Sequence, residues 1–291
     1  MSKKMWYPEL RDPAYRRAQL TESTTMYAPL LRAASTLRIS GPAYGLKIAV
    51  VPDTQARSGD DFAFLECAGK YIAAKQPDVV LHLGDLADME SLSTHEKDGH
   101  IRVEGTRYKD DLAAAQQANE ALMSPIEKAR AYKPTKILTY GNHENRIVRA
   151  IDADPRHLAD VYSLDDLRYA DYGWKCYPFL QPVVIGGVAF CHYFPRGVMD
   201  KPIQSPAILL RALHMSAVAG HQQGRDIAFG KRADGQPLTA IISGSFYEHN
   251  ERYLSPFSNQ HWRGMWMLHE VKDGAFDEMA LSINYLRRRF G

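Results

Sequence analysis

Three times in its first half, this chain passes from an apolar segment into a short polar loop and then into a segment with helical spacing. The apolar segments, LKIAVV, VVLHL and KILTY, each suit one buried strand. Apolar residues recur at helical intervals over 60–75, over 108–132 with a candidate interruption at Pro125, and again after the third loop. Strands that alternate with helices predict an α/β fold with parallel crossovers, in which the carboxyl ends of the strands gather functional groups.

The second half has a stronger β signal. Apolar segments flank Gly186-Gly187, which predicts a hairpin turn. A short strand is expected over 216–220, a turn at Asp234-Gly235, and the end of a further alternating segment near Asp273-Gly274. This half is therefore expected to contribute mainly strands.

No internal repeat or low-complexity linker divides the chain after residue 44, so we predict one domain over 45–291. Residues 1–44 differ in composition, with frequent Arg, Lys, Tyr and Pro, and form a predicted N-terminal arm that includes a short helix near 27–34. One interpretation is an arm that packs on the surface or is partly disordered. The other is an arm that contacts another subunit or a substrate strand.

Composition places the chain in a reducing, aqueous compartment. Its three cysteines form no CxxC pair and no disulfide framework. The N-terminus is charged and lacks the apolar core of a signal peptide, and the apolar segments are far shorter than the roughly 20 residues that span a bilayer. We therefore predict a cytoplasmic protein with no membrane partner. The formal net charge of +2 does not decide whether nucleic acid is a partner.

Potential metal ligands stand at the carboxyl ends of five predicted strands. In chain order they are Asp53 with Gln55, Asp85, Asn142 in GNHE, His192, and His221 in GHQQ. Carboxylate, amide and imidazole groups bind Mg, Mn, Fe or Zn. A Gly-Asp pair or a buried histidine alone is common in structural roles, but five such features in this order along one α/β chain indicate a metal site.

The order of these motifs, over residues 47 to about 225, resembles the calcineurin-like metallophosphoesterase superfamily. The resemblance implies an α/β fold with two stacked mixed β-sheets, a β-sandwich, flanked by helices and carrying two divalent cations. It also implies that Asp53 binds the first cation and that Asp85 bridges both. Asn142, His192 and His221 are implied to hold the second cation.

The reaction that this resemblance implies is hydrolysis of a phosphate mono- or diester substrate. Two cations about 3.5–4 Å apart lower the pKa of a bridging water, and the hydroxide attacks phosphorus in line with the leaving oxygen. His143 is implied to stand near the leaving group, where an imidazole suits the general acid. We therefore expect His143 and Asp85 to be the catalytic residues of a divalent-metal-dependent phosphoric ester hydrolase.

Two motifs depart from the family pattern. The first usually reads Asp-x-His and here has Gln55, and the last usually reads Gly-His-x-His and here has Gln223. Both replaced histidines belong to the first cation in the family scheme. Amide oxygens are neutral, hard ligands, so we expect a weaker first site filled mainly by Mn or Mg, with Zn or Fe as alternatives. A second interpretation is that neither glutamine touches metal and that one ion or none binds there.

Longer segments resemble a subgroup of these enzymes that is found in tailed-phage genomes and prophages. They are GDLADMESLSTHEKDG, FCHYF, GHQQG, GSFYEHNERYL and NQHWRGMW. Within this subgroup the two glutamines look like the rule. The resemblance predicts a phage or prophage enzyme but identifies no substrate.

Charged side chains near the motifs have two interpretations each. Glu144 either supports His143 or a metal ligand, or caps the following helix. Asp88, Arg57 and Arg146 are interpreted mainly as solvated surface groups. The alternative for Asp88 is support of the site, and the alternative for the two arginines is phosphate binding.

Four aromatic or imidazole side chains near the motifs are also ambiguous. Tyr193 and Tyr247 either stack on substrate or pack internally. His249 is a candidate for the rim of the site, and His82 a candidate core histidine.

Two other functions stay open at this point. A DNA or RNA nuclease of the same fold is one, because basic residues occur in the arm and at Arg287–Arg289. A metal-poor scaffold for protein binding is the other, motivated by the altered first site, although the intact GNHE motif argues against it. The sequence does not predict the oligomeric state.

Overall fold

A computed structural model of the chain describes residues 34–93, 105–197, 199–250 and 261–291. Within these residues the strands are, in chain order, β1 (Ser35–Leu37), β2 (Leu46–Val51), β3 (Val79–His82), β4 (Thr135–Thr139), β5 (Lys175–Tyr177), β6 (Val183–Ile185), β7 (Val188–Cys191), β8 (Pro195–Arg196), β9 (Lys201–Pro202), β10 (Ala217–Ala219), β11 (Arg225–Lys231), β12 (Pro237–Ser243), β13 (Gly264–Lys272) and β14 (Ala275–Ser282).

The α-helices of the described residues alternate with the parallel strands in the first half. They are α1 (Ala63–Lys75), α2 (Tyr108–Lys128), α3 (Asn145–Ala153), α4 (Pro155–Leu158), α5 (Pro206–Leu213) and α6 (Ile283–Phe290). The predicted interruption at Pro125 is wrong, because α2 runs through it to Lys128. Proline removes one helical hydrogen bond and its ring crowds the preceding turn, but only three residues of the helix follow this proline.

Two six-stranded mixed sheets form the centre of the fold. Sheet A has the order β1-β6-β7-β10-β12-β11, and sheet B has the order β14-β13-β2-β3-β4-β5. In sheet B, strands β2 to β5 are parallel neighbours, whereas β13 and β14 add an antiparallel pair. The turns predicted at Gly186-Gly187 and Asp234-Gly235 each join an antiparallel pair, and the predicted segment end at Asp273-Gly274 is the turn between β13 and β14.

Apolar side chains pack the two sheets against each other and pack the helices against the outer faces of the sheets. Ile48 and Leu81 of sheet B meet Phe190 and Ile241 of sheet A in a buried layer between the sheets. The other face of sheet B packs on α1 and α2, and the other face of sheet A packs on α5. The predicted arrangement of two stacked mixed sheets flanked by helices is confirmed.

Residues 34–44 are the part of the predicted arm that the structure describes, and they contribute a strand. Within it, β1 pairs parallel to β6, with Ser35 opposite Val183, at the edge of sheet A. The helix predicted near 27–34 lies almost wholly outside the described residues, and the domain boundary at residue 44 stays a prediction. Across the described ranges, every helix is too short or too polar to cross a membrane.

Candidate metal centre

The predicted ligand loops converge at one edge of the two sheets. Asp53, Asp85 and Asn142 follow β2, β3 and β4, which are parallel neighbours in sheet B. His192 and His221 follow β7 and β10, which are parallel neighbours in sheet A. The two groups of loops touch, because the backbone N–H of His221 donates a 3.0 Å hydrogen bond to Oδ1 of Asp53. The five loops therefore form one site.

Three of the predicted ligands present their donor atoms to a common point. Ligand atoms of Asp85, His192 and His221 all lie within 4.8 Å of one another. Nε2 of His192 is 3.3 Å from Oδ2 of Asp85 and 2.8 Å from Oδ1 of Asn142. These are the residues predicted for the second cation together with the predicted bridging carboxylate, so the structure brings that set together.

The backbone fixes how the ring of His192 is protonated. Nδ1 lies 2.8 Å from the carbonyl oxygen of Leu83, which can only accept, so Nδ1 carries the proton. In the neutral ring, Nε2 then presents a lone pair to the amide oxygen of Asn142, which is also an acceptor. These two atoms lie 2.8 Å apart, and a divalent cation beside them would bind both lone pairs. This donor set fits a divalent metal.

Three buried oxygens of the site have no hydrogen-bond partner among the described residues. They are Oδ2 of Asp53, Oε1 of Gln55 and Oδ2 of Asp85. An orphaned buried oxygen costs free energy, and most such groups in folded proteins are satisfied. Carboxylate and amide oxygens are also the ligands that hard divalent cations prefer. The orphaned oxygens therefore fit the predicted first and bridging positions.

The two buried carboxylates behave differently in the absence of a cation. Burial raises the pKa of Asp53 to about 7, with His192 opposing and Asp85 adding to this rise. Burial also disfavours ionised Asp85, but the imidazoles of His143 and His192 hold its pKa below the usual value. A cation beside Asp53 would compensate for the loss of solvation that raises its pKa.

The two glutamines that replace the family histidines differ in environment. Gln55 is 2% exposed and its oxygen is orphaned. Gln223 is half-buried, and its side chain makes no hydrogen bond with any residue that the structure describes. Gln55 is therefore placed as a ligand would be, whereas the metal contact of Gln223 stays a prediction.

Four predicted ligands have left-handed backbones. The φ angles are 45° at Gln55, 50° at Asp85, 67° at His221 and 55° at Gln223. Such conformations cost non-glycine residues about 1–3 kcal/mol and persist only where the surroundings enforce them. Hydrogen bonds enforce two of them, since the N–H of Gln55 donates to the Asp85 carbonyl and that of His221 donates to Asp53.

Glycines let the ligand loops approach each other closely. A Cβ at Gly141 would collide with Oδ1 and the backbone nitrogen of Asp85, and a Cβ at Gly220 would lie 2.6 Å from Oδ1 of Asp53. Neither glycine has a positive φ. The glycine before Asn142 and the one before His221 are thus required by close approach of a neighbouring carboxylate.

His143 belongs to a buried network of charged groups. Its Nδ1 lies 2.5 Å from Oδ1 of Asp88, and its Nε2 lies 3.6 Å from Oδ2 of Asp85. Asp88 also forms an ion pair with Arg57 and accepts a hydrogen bond on its carbonyl from Arg146. Burial opposes protonation of His143, but the two carboxylates raise its pKa above the usual value. Burial would likewise raise the pKa of Asp88, but His143 and the two arginines hold it well below the usual range.

The interpretation of Asp88, Arg57 and Arg146 as solvated groups is wrong. Asp88 is 3% exposed, and the side chains of Arg57 and Arg146 are 17% and 10% exposed. The alternative, in which Asp88 supports the site, agrees with the structure. The sequence did not identify His143 as the residue that Asp88 contacts.

Glu144 neither supports His143 nor caps its own helix. Its carboxylate is fully buried and accepts hydrogen bonds from the backbone of residues 85–87, from Gly141 and from the hydroxyl of Tyr169. The capping interpretation is therefore wrong, and the alternative of support for a metal ligand agrees with the contacts to Asp85. Nothing in the sequence pointed to Tyr169.

The aromatic candidates separate by burial. Tyr247 is 1% exposed and stacks on His249 at 4.2 Å, which favours packing over contact with substrate. Tyr193 is half-buried, and its ring centre lies 4.8 Å from that of His221, so it borders the site. His82 is fully buried and paired with Thr54, so its prediction as a core histidine is confirmed.

Comparisons with known proteins address the family. The sequence profile described as calcineurin-like phosphoesterase matches residues 46–207, more than half of the chain. No curated protein matches the chain. One solved structure is similar over 81% of this chain and 99% of its own, at 10% identity and a TM-score of 0.35, which is too low to bear on function. The tailed-phage subgroup stays a prediction.

Proposed function

This chain belongs to the calcineurin-like phosphoesterase family, and we propose that it hydrolyses phosphate mono- or diesters with two divalent cations held at the edge of the two sheets. The observation that carries the proposal is the group of orphaned, buried oxygens on Asp53, Gln55 and Asp85, beside the cluster of Asp85, His192 and His221. A scaffold for protein binding would have no need for unpaired oxygens in its interior.

The residues around the site divide into two ligand sets. Asp85, Asn142, His192 and His221 would hold the second cation, and Asp53 and Gln55 would hold the first, with Asp85 shared. Gln223 would join the first set if its half-buried side chain turns inward. When bound, the cations supply Lewis-acid activation of water and stabilise charge on the phosphoryl oxygens.

The composition of the first set supports Mn or Mg as the cation. Asp53, Gln55 and Asp85 offer oxygen atoms only, and hard oxygen ligands suit Mg and Mn better than Zn. The second set adds imidazole nitrogens from His192 and His221, which favour Fe or Zn more than the oxygen atoms of the first set do. We therefore propose that the first position is weaker and is occupied by Mn or Mg.

His143 is the proposed general acid. Because Asp88 accepts a hydrogen bond from Nδ1, the ring is fixed with Nε2 toward Asp85 and the ligand cluster. A proton at Nε2 can then pass to the leaving oxygen of the substrate. Asp88 serves as the positioning residue, and Arg57 and Arg146 hold it in place.

Hydrolysis of chromogenic esters by metal-stripped protein tests the proposal. Bis-p-nitrophenyl phosphate and p-nitrophenyl phosphate should be assayed with Mn, Mg and Zn, beside Asp85→Ala. We expect activity that requires Mn or Mg and is absent in the variant. A folded protein that remains inactive with every metal would contradict the proposal and favour the scaffold.

The same assay separates a small substrate from nucleic acid. Cleavage of a single-stranded oligonucleotide, with a rate that falls steeply as salt increases, would identify a nuclease. A rate on small diesters that changes little with salt would favour a small-molecule enzyme.

A further inference from the structure

We propose that Glu144 is a positioning residue for the metal centre, whose carboxylate holds the backbone of Asp85 in the conformation that presents Oδ2 to the cations. This inference rests on the proposed metal centre. A residue outside both ligand sets would thus hold the ligand loops in fixed positions relative to one another.

The carboxylate of Glu144 joins two loops that are distant in sequence. Oε1 accepts from the backbone nitrogens of Leu86 at 2.7 Å and Ala87 at 3.2 Å, and from the hydroxyl of Tyr169 at 3.1 Å. Oε2 accepts from the backbone nitrogens of Asp85 and Gly141, both at 2.9 Å. Four of these five donors are therefore backbone groups within two residues of a predicted ligand.

These bonds act where the backbone of Asp85 is strained. Its φ of 50° is unfavourable for a residue with a side chain, and three consecutive N–H groups held by one carboxylate fix the turn. The carbonyl of Asp85 in turn accepts from the backbone nitrogens of Thr54 at 2.9 Å and Gln55 at 2.7 Å. Glu144 thereby links the loops after β3 and β4 directly, and it reaches the loop after β2 through the carbonyl of Asp85.

Only a carboxylate matches this set of donors. Glutamine has nearly the same shape, but its NH₂ group would face N–H donors in place of one carboxylate oxygen. Depending on its orientation, Glu144→Gln would lose the bonds from the backbone nitrogens of either Asp85 and Gly141 or Leu86 and Ala87. The site should be disturbed in either case, with no change in side-chain volume.

Metal binding without substrate tests the proposal. Calorimetric titration of metal-stripped protein with MnCl₂ should compare the wild type, Glu144→Gln and Tyr169→Phe. Tyr169→Phe is the matched control, because it removes one of the five donors and leaves the four backbone bonds intact. We expect Glu144→Gln to weaken Mn binding about 10- to 100-fold and Tyr169→Phe less than about threefold. Raising Mn to saturation should restore more activity on bis-p-nitrophenyl phosphate to Glu144→Gln than to the wild type, because the variant lacks mainly metal affinity.

Hydrogen exchange on the wild type keeps the test decisive if the Glu144 variant fails to fold. Amides of residues 85–87 and 141 should be protected in the metal-free protein, because the bonds to Glu144 exist before metal binds. Protection that appears only after Mn is added would overturn the proposal, as would unchanged Mn affinity in Glu144→Gln. A wild type that binds no Mn would instead reject the metal centre and with it the role of Glu144.

Discussion

The imidazole of His143 and the carboxylate of Asp88 form a buried pair, with Nδ1 2.5 Å from Oδ1. The pair joins a residue of the loop after β4 to one of the loop after β3, 55 positions apart in sequence. Arg57 and Arg146 bind the same aspartate, so its position does not depend on the histidine. Because Nδ1 faces Asp88, Nε2 of His143 points toward Oδ2 of Asp85, 3.6 Å away.

Replacing either member of this pair should slow turnover without removing metal. We expect His143→Ala to lower kcat about 10²- to 10⁴-fold and Asp88→Asn about 10- to 100-fold. The loss should be larger for alkyl phosphates than for p-nitrophenyl phosphates, because a good leaving group needs no acid. Steady-state kinetics on both substrate types, with metal content measured by mass spectrometry, check this prediction.

The double variant tests whether the two residues act as a unit. If Asp88 works only through His143, adding Asp88→Asn to His143→Ala should cause almost no further loss. Losses that multiply would show that Asp88 has a separate function. Loss of metal in either single variant would contradict the assigned roles.

The two glutamines should contribute unequally to the first cation. Gln55→Ala removes an orphaned, buried oxygen and should weaken Mn binding at the weaker position about tenfold or more, whereas Gln223→Ala should change it less than about threefold. Gln55→His should raise the preference for Zn over Mn, because imidazole is a better ligand for Zn. Competitive titrations with both metals measure these differences. Equal losses in the two alanine variants would show that Gln223 is also a ligand.

Sequence patterns predicted the parts of the site that depend on strand ends. Asp53, Asp85 and His192 each follow a buried strand, and parallel neighbours in a sheet bring such ends to one edge. The stacking of the two sheets was implied by the family resemblance, not by periodicity. Short apolar segments alone do not reveal which strands pair or which faces meet.

The contacts that sequence patterns did not predict are those between loops. Glu144 meets the loop after β3 across 57 to 59 positions, and Asp88 meets His143 across 55. Local propensity favours exposed carboxylates in a first helical turn, and that preference led to the wrong interpretations. In the structure both carboxylates are buried between two loops instead, because hydrogen-bond donors there replace the water that each would otherwise bind.

Divalent cations should stabilise the folded protein. A bound cation would satisfy the orphaned oxygens of Asp53 and Asp85, so chelation should lower the melting temperature. At a free Mn concentration 100 times Kd, binding to the folded state alone contributes about 2.7 kcal/mol. Differential scanning fluorimetry with EDTA or Mn measures the shift. In Asp85→Asn the shift should be much smaller, and an equal shift in both proteins would place the stabilising cation elsewhere.

Adding one methyl group at Gly141 should damage the metal centre from the backbone side. A Cβ there would collide with Oδ1 and the backbone nitrogen of Asp85, so this proposed bridging ligand must move. We expect Gly141→Ala to lower the free energy of unfolding by about 1–3 kcal/mol and to weaken Mn binding at least about tenfold. Gly224→Ala is the control, because its nearest neighbour would be 3.7 Å from the new Cβ, and it should change stability by less than about 0.5 kcal/mol. Denaturant unfolding measures the change in stability of both variants, and Mn titration measures the change in their affinity for Mn. If Gly141→Ala bound Mn as tightly as the wild type, the bridging position of Asp85 would be wrong.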